Sequence, residues 1–331
     1  MKIEEMLLGT AIGDAFGVGL EFQDRDWIKK NVDFSSFVNR RDKNYAHGYE
    51  SGYYSDDTEH TIGLVEALLD PRPFSEELLL EKWKEEYEHD KKRKGFPRQG
   101  HGSIQDWYEE RKTIAEVRAG QQNRSDPGNA PAMRAVPLGL LPSNLINNYA
   151  IINASATHPH PQAEAASILV ARASEYMIAK EGNRNFIFDY CTQFISHPET
   201  LQYLEEIMNL PELDKLTKAG FEKLCGPQPI PHFITRKVKG LPGTSMRTAG
   251  AALYTIKHSS NTFSALKNAI YLGGDVDSIA AVCTGILAGR YGLESLPQFM
   301  IKKVEGRERL HHLSLRLDTY LKENYFKTKY G

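Results

Sequence analysis

Ala163-Glu164-Ala165-Ala166-Ser167-Ile168-Leu169-Val170-Ala171-Arg172-Ala173-Ser174-Glu175-Tyr176-Met177-Ile178 contains neither Gly nor Pro and is rich in Ala, Ile, Leu and Met, a composition that favours one continuous helix. Working outward, apolar residues keep returning at helical spacing: Ile3, Met6, Leu7 and Ala11 near the start, then Thr61, Leu64, Val65 and Leu68. Thr248 to Ile256 adds a helix whose small side chains permit close packing. Glu76 to Lys94 sets Trp83 and Tyr87 one helical turn apart among Glu and Lys, which predicts a solvated amphipathic helix with its Lys91-Lys92-Arg93-Lys94 run at the surface. Strand patterns are scarce, Phe233 to Val238 being a short candidate. The expectation is an all-α fold. Residues 1–331 read as a single domain, because no internal repeat or low-complexity linker divides them and Pro227 to Pro231 marks a loop.

Composition excludes several function classes. The 331 residues carry 41 Lys+Arg against 43 Asp+Glu, a formal charge of −2, so neither general nucleic-acid binding nor attachment to an anionic membrane is expected. With 40% hydrophobic residues and 26 Gly, the chain can bury a large core. Cys191, Cys225 and Cys283 are widely spaced and odd in number, which argues against a disulfide framework or a cysteine zinc site and for a reducing compartment. Met1 to Asp14 lacks the pattern of a secretory leader, and no run is apolar enough to span a membrane, so a cytoplasmic location is expected.

The chemistry is concentrated at two predicted helix starts. Ser55-Asp56-Asp57-Thr58-Glu59 leads directly into the periodic run Thr61 to Leu69, with Ser55 or Asp56 as N-cap. Capping alone would explain that segment. A second one, Gly273-Gly274-Asp275-Val276-Asp277-Ser278, precedes the apolar run Ile279 to Cys283, where two glycines permit a sharp turn or close ligand approach. Capping needs only one such side chain, and paired aspartates at the mouth of a buried helix repel each other unless a cation neutralises them. If both segments face one cleft, four carboxylates and two hydroxyls form an all-oxygen set that suits Mg²⁺ or Mn²⁺, and four negative charges balance two divalent ions. Calcium fits less well. Zinc is not expected, since no His or Cys neighbours these aspartates at ligand spacing.

Several segments, in order, resemble the ADP-ribosylglycohydrolase superfamily, which includes the dinitrogenase reductase-activating glycohydrolases and the ADP-ribosyl-acceptor hydrolases. They are Gly9 to Gly17 with Glu21, Ser55-Asp56-Asp57-Thr58, Gly128-Asn129 with Met133-Arg134 and Pro137, Thr157-His158-Pro159, and Gly273 to Ser278. The resemblance implies a compact orthogonal helical bundle with a two-metal centre, cleaving the N- or O-glycosidic bond between ADP-ribose and an acceptor, either a modified protein side chain or a small molecule. It implies metal ligation by Ser55, Asp56, Asp57, Asp275, Asp277 and Ser278, proton transfer by Glu21 or Asp57, and ADP-ribose binding by Gly128, Asn129, Met133, Arg134, His158, Gly273 and Gly274. Diphosphate recognition by amides of the glycine turns and helix N-termini would need no cluster of cations.

Plainer readings exist for some of these positions. Gly13, Asp14 and Gly17 suit helix packing as well as a place beneath the metals, and Asn129 suits a cap for a helix starting near Pro131. Ser55 and Ser278 stand where Thr is common in the family, and Ala130-Pro131 follows Asn129 where Gly is usual. Asp90 and Asp106 receive no role. Two other functions compete: a noncatalytic ADP-ribose-binding or structural protein of the same fold, and a two-metal nucleotide phosphoesterase.

Overall fold

Local sequence accounts for most helix boundaries. The computed structural model describes residues 2–38, 50–231 and 237–326. The helices that matter for the site are α1 (Lys2–Gly17), α2 (Asp56–Leu69), α3 (Glu76–Lys94), α4 (Pro161–Ser174), α5 (Ser245–Lys257) and α6 (Val276–Tyr291). Among the described residues there is no β-strand, only isolated bridges joining Gln23 and Leu241 to Gly274, and Gly128 to Thr244. Of the strand candidate Phe233 to Val238, residues 233–236 lie outside the described residues, and 237–238 are irregular.

α3 begins where Ser75 Oγ accepts the Leu78 N–H and ends at Gly95, whose φ of 84° stops the helix. Trp83 and Tyr87 are buried on its inner face. The basic run at its end is exposed at Lys91, Lys92 and Arg93, but Lys94 is not a surface residue. Its ammonium sits 3.2 Å from the Tyr53 ring centroid and 2.7 Å from Glu305, because a cation–π contact and an ion pair replace the water it gives up. α4 also departs from expectation: the α-helix stops at Ser174, and Glu175–Ala179 widens into a π-turn in which the Lys180 N–H reaches Glu175 O.

α1 and α6 lie nearly backbone to backbone. A Cβ placed on Gly9 would lie 2.4 Å from Ala288 Cβ, one on Gly13 2.2 Å from Ala280 O, and one on Gly17 2.3 Å from Asp277 Cα. From the other side, a Cβ on Gly285 would lie 2.2 Å from Thr10 Oγ1. Glycine costs a helix about 1 kcal/mol per residue, which the close contact of two long buried helices offsets. This packing brings Asp14 and the segment after Gly17 against the N-terminus of α6. The buried apolar side chains form one continuous cluster, and among the described residues no helix is long and apolar enough to cross a membrane.

Candidate active site

Asp14 removes the capping explanation for Asp56 and Asp57. Its Oδ1 accepts the Ser55 N–H at 2.8 Å and hydroxyl at 2.7 Å, and its Oδ2 accepts the Thr58 N–H at 2.9 Å and hydroxyl at 2.6 Å. Ser55 is the N-cap, its Oγ also facing the Asp57 N–H. With those donors satisfied, the Asp56 and Asp57 side chains are released into the cleft. Donating its proton to Asp14 also leaves Ser55 Oγ with lone pairs to offer.

At the start of α6, Asp275 occupies the N-cap position but makes no capping bond. Its Oδ2 accepts the Asn129 side-chain amide at 2.6 Å. The turn before it uses φ of 70° at Gly273 and 75° at Gly274, values open to glycine. It is sewn to neighbouring chain: Phe22 N–H to Gly274 O at 2.7 Å, Gly274 N–H to Gln23 O at 3.0 Å, and Asp275 N–H to Leu241 O at 2.9 Å. That stitching sets Glu21 beside the aspartates, so that Glu21, Asp275 and Asp277 offer carboxylate oxygens all within 4.8 Å of one another. Gln99 Nε2 holds Glu21 Oε2 at 3.0 Å. Glu21, Asp56, Asp57, Asp275, Asp277 and Ser278 thus line one cleft.

Crowding shows in the electrostatics. Burial first, and then neighbouring carboxylates, hold Asp56, Asp57 and Asp277 well above the ordinary carboxylate range. Burial also pushes Asp275 up to about 6, against the pull of its hydrogen bonds. Asp57 Oδ1 and Asp277 Oδ1 are buried without a hydrogen-bond partner among the described residues. These raised values stabilise the metal-free fold fully below the ordinary 3.8, and that contribution is lost as pH rises through about 6 and beyond. Buried His60 and His158, both held below the usual 6.5, act in the opposite sense. The clean observable is therefore the increment in melting temperature on adding Mn²⁺ to chelator-treated protein. It is expected to grow from about pH 5.5 to about pH 8 as protons stop competing for the oxygens, and an increment that shrinks with pH would contradict this reading.

Gly128, Asn129, Met133, Arg134 and His158 line the same cleft. Asn129 stands at the N-cap of the short Ala130–Met133 helix but does not cap it, its amide going to Thr248 Oγ1 and Asp275 instead. Arg134 is fully buried, bonded to Asn153 and Thr157 and stacked 3.7 Å from the Trp83 ring centroid. Burial pushes it down to about 9, and its Nη1 has no partner among the described residues. Gly273 and Gly274 require a correction. Neither lines the cleft, and their amides are bonded to Ile270 O and Gln23 O, so this turn offers no diphosphate cradle. Cations at the cleft come instead from Arg134 and Arg124. Asp90 is bonded to buried Arg98 and Asp106 to Arg111 and Lys112, away from the cleft.

His60 and His101 stand outside the set expected from the sequence. Both are buried and line the cleft, and with Asp56 each offers a ligand atom, all within 4.8 Å of one another. The premise that no histidine neighbours the aspartates therefore fails. Asp56 and His60 are four residues apart, one turn of the same helix, a spacing visible in the sequence. His101 arrives from a distant loop with no local signal.

A set of helices, sheet-free among the described residues, whose N-termini deliver carboxylates to one cleft is the ADP-ribosylglycohydrolase class of fold. A solved structure described as an ADP-ribosylglycohydrolase-related protein complex matches it with a TM-score of 0.60 at 21% identity, over 96% of this chain and 98% of that one. The chain belongs to the ADP-ribosylglycohydrolase family, whose model matches residues 1–325. Among its relatives, ADP-ribosylhydrolase ARH3 of Mus musculus is 24% identical over 310 residues, covering 83% of this chain and 79% of that protein. ADP-ribosylarginine hydrolase Tri1 of Serratia proteamaculans is 24% identical over 333 residues, covering 96% and 78%.

Proposed function

We propose that this chain, as one domain, is a hydrolase dependent on two divalent cations that cleaves the glycosidic bond between ADP-ribose and an acceptor, releasing ADP-ribose. The observation that carries the reading is the convergence of carboxylates from three distant segments on one cleft, with two buried oxygens left unpartnered. Carboxylates and hydroxyls are hard donors, and unpartnered buried oxygens beside like charges fit Mg²⁺ or Mn²⁺. Ser55, Asp56, Asp57, Asp275, Asp277 and Ser278 would hold them. Bound there, the ions would supply neutralising charge and polarise ribose hydroxyls and water.

The remaining roles fall to the chain's own side chains. Glu21 or Asp57 takes a proton from the water that adds to the anomeric carbon, while the bond from that carbon to the acceptor breaks and the acceptor leaves with a proton. Gln99 holds Glu21 in place at the cleft. Asn129 fixes Asp275, and His158, held through Nδ1 by Thr157 at 2.7 Å, forms cleft wall against the ribose or adenosine. Arg124 and Arg134 supply the positive charge that a diphosphate needs.

ARH3 and Tri1 carry names that specify ADP-ribosyl hydrolysis, Tri1 from arginine. The substrate proposed here is accordingly an ADP-ribosylated protein side chain or small molecule. A noncatalytic role is disfavoured by the cost of keeping four mutually repelling buried aspartates. The test is incubation with a panel of defined ADP-ribosylated peptides, with and without chelator, followed by mass analysis. Free ADP-ribose is expected, and its release should fall to background after exhaustive metal removal and return with Mg²⁺ or Mn²⁺. Release of AMP would mean diphosphate cleavage instead, and chelator-resistant turnover would reject the metal-dependent mechanism.

A further inference from the structure

The geometry points to a second kind of metal site in the same cleft: we propose that Asp56, His60 and His101 bind a first-row transition-metal dication of the zinc class, distinct in ligand chemistry from the all-oxygen cluster of Glu21, Asp275 and Asp277. The inference concerns binding alone and stands apart from the hydrolase reading.

Three observations carry it. First, the donors converge: one ligand atom from each residue lies within 4.8 Å of the others, and all three side chains are buried, at 4%, 1% and 5% exposure. Convergence depends on Gly100, whose φ of 102° and contact with α2 are so tight that a Cβ would lie 1.8 Å from Asp56 Oδ1. A side chain at that φ would be strained, and its Cβ would push the Asp56 carboxylate out of place.

Second, neither imidazole is fully satisfied: His60 has one nitrogen held and one left over, and His101 has both nitrogens without a hydrogen-bond partner among the described residues, its Nε2 facing a carboxylate. His101 Nε2 lies 2.7 Å from Glu59 Oε2, and His60 Nε2 lies 3.1 Å from the Tyr108 hydroxyl. The Nδ1 atoms of both rings are buried without a hydrogen-bond partner among the described residues. A histidine buried merely for packing would satisfy both nitrogens, since an unpaired buried polar atom costs about 1–3 kcal/mol. A carboxylate or hydroxyl on the far nitrogen is how metal-ligating imidazoles are oriented. Glu59 is positioned in turn by buried Arg98 at 3.6 Å, and the His60 backbone carbonyl accepts from Trp83 Nε1 at 3.0 Å.

Third, the donor set has a preference. Two imidazoles and one carboxylate, open to the cleft on one side, match three protein ligands with a free position, a pattern that suits Zn²⁺ and related ions and not Mg²⁺ or Ca²⁺. Asp56 has two oxygens, so it can serve this site and still face the neighbouring carboxylates.

The test uses Co²⁺ as a spectroscopic stand-in for Zn²⁺ on the full chain after chelator treatment. Nitrogen-ligated Co²⁺ is expected to give an intense visible absorption band that saturates at one equivalent and is displaced by Zn²⁺. Proton NMR of the same sample should show paramagnetically shifted, exchangeable imidazole N–H resonances. His60→Met and His101→Phe should each abolish the band and weaken Zn²⁺ binding at least tenfold, while Mn²⁺ uptake by the oxygen cluster persists. Glu59→Gln should weaken Zn²⁺ binding about 10- to 100-fold with both imidazoles intact. A wild-type protein with neither the band nor the shifted resonances overturns the proposal whatever the variants do, and so does a band retained in both well-folded histidine variants. Mg²⁺-dependent release of ADP-ribose in that same protein would leave the hydrolase reading standing.

Discussion

Asp277→Asn is expected to lower ADP-ribose release on the order of 1000-fold, the scale seen when a group that stabilises developing charge is lost, while raising the melting temperature of the protein in chelator. The second half makes the test specific. Asp277 is buried among Glu21, Asp275, Asp57 and Asp14, and its ionisation is disfavoured first by burial and then by those neighbours. Its Oδ1 has no hydrogen-bond partner among the described residues, so little in the metal-free protein depends on its charge. Asparagine keeps the shape and removes the repulsion, which should stabilise the metal-free state by about 1 kcal/mol or more near pH 8. Added Mn²⁺ should then raise the melting temperature of the variant far less than that of the wild type. Product quantification and thermal melts with and without chelator measure both halves. A variant that stays active would mean Asp277 does not serve a catalytic cation, and one that melts lower in chelator would mean that Asp277 holds the metal-free fold together.

The candidate cleft is legible in the sequence where its residues are local. Ser55-Asp56-Asp57 and Asp275-Val276-Asp277 announce helix starts with more carboxylates than capping requires, and the structure shows where the capping comes from: Asp14, 41 residues before Ser55 in the chain, takes over that task. That contact was unreadable because nothing near Asp14 marks its partner. The same holds for Asn129 with Asp275, 146 residues apart, and for His101 with Glu59. Gly273-Gly274 admitted two readings, a sharp turn or a close ligand approach, and the local pattern could not choose between them. The Gln23 carbonyl, which occupies the Gly274 amide, comes from a distant part of the chain, while the Gly273 amide is taken locally by Ile270, three residues upstream. Lys94 escapes the local pattern for a related reason, since a run of four basic residues predicts solvent, and the Tyr53 ring and Glu305 carboxylate that hold it lie elsewhere in the chain. His60 differs from these cases: its spacing of one helical turn from Asp56 is present in the sequence, but that spacing alone does not mark an imidazole as a ligand.

Gly17→Ala should destabilise the protein by about 3 kcal/mol and cut turnover roughly 100-fold, although the substitution ought to favour a helix. Gly17 ends α1 with φ −71° and ψ −38°, right-handed helical values that alanine adopts readily. Backbone preference alone would therefore make the change stabilising by about 1 kcal/mol. Contact reverses the sign. The new Cβ would lie 2.3 Å from Asp277 Cα, 2.7 Å from Asp277 N and 2.9 Å from Val276 O, backbone atoms that have no rotamer to give. Relief requires α6 to retreat from α1, and the first residues to move are those carrying Asp275, Asp277 and Ser278. Gly120→Ala supplies the control: Gly120 lies within the helix Ile114–Gln122, and a Cβ there would meet nothing within 4 Å. That substitution should raise stability by up to about 1 kcal/mol. Denaturant unfolding of both variants, together with Mn²⁺ affinity, decides the matter. If Gly17→Ala is as stable as Gly120→Ala and binds Mn²⁺ like the wild type, α1 does not press on the Asp277 backbone, and the link from glycine spacing to carboxylate placement fails.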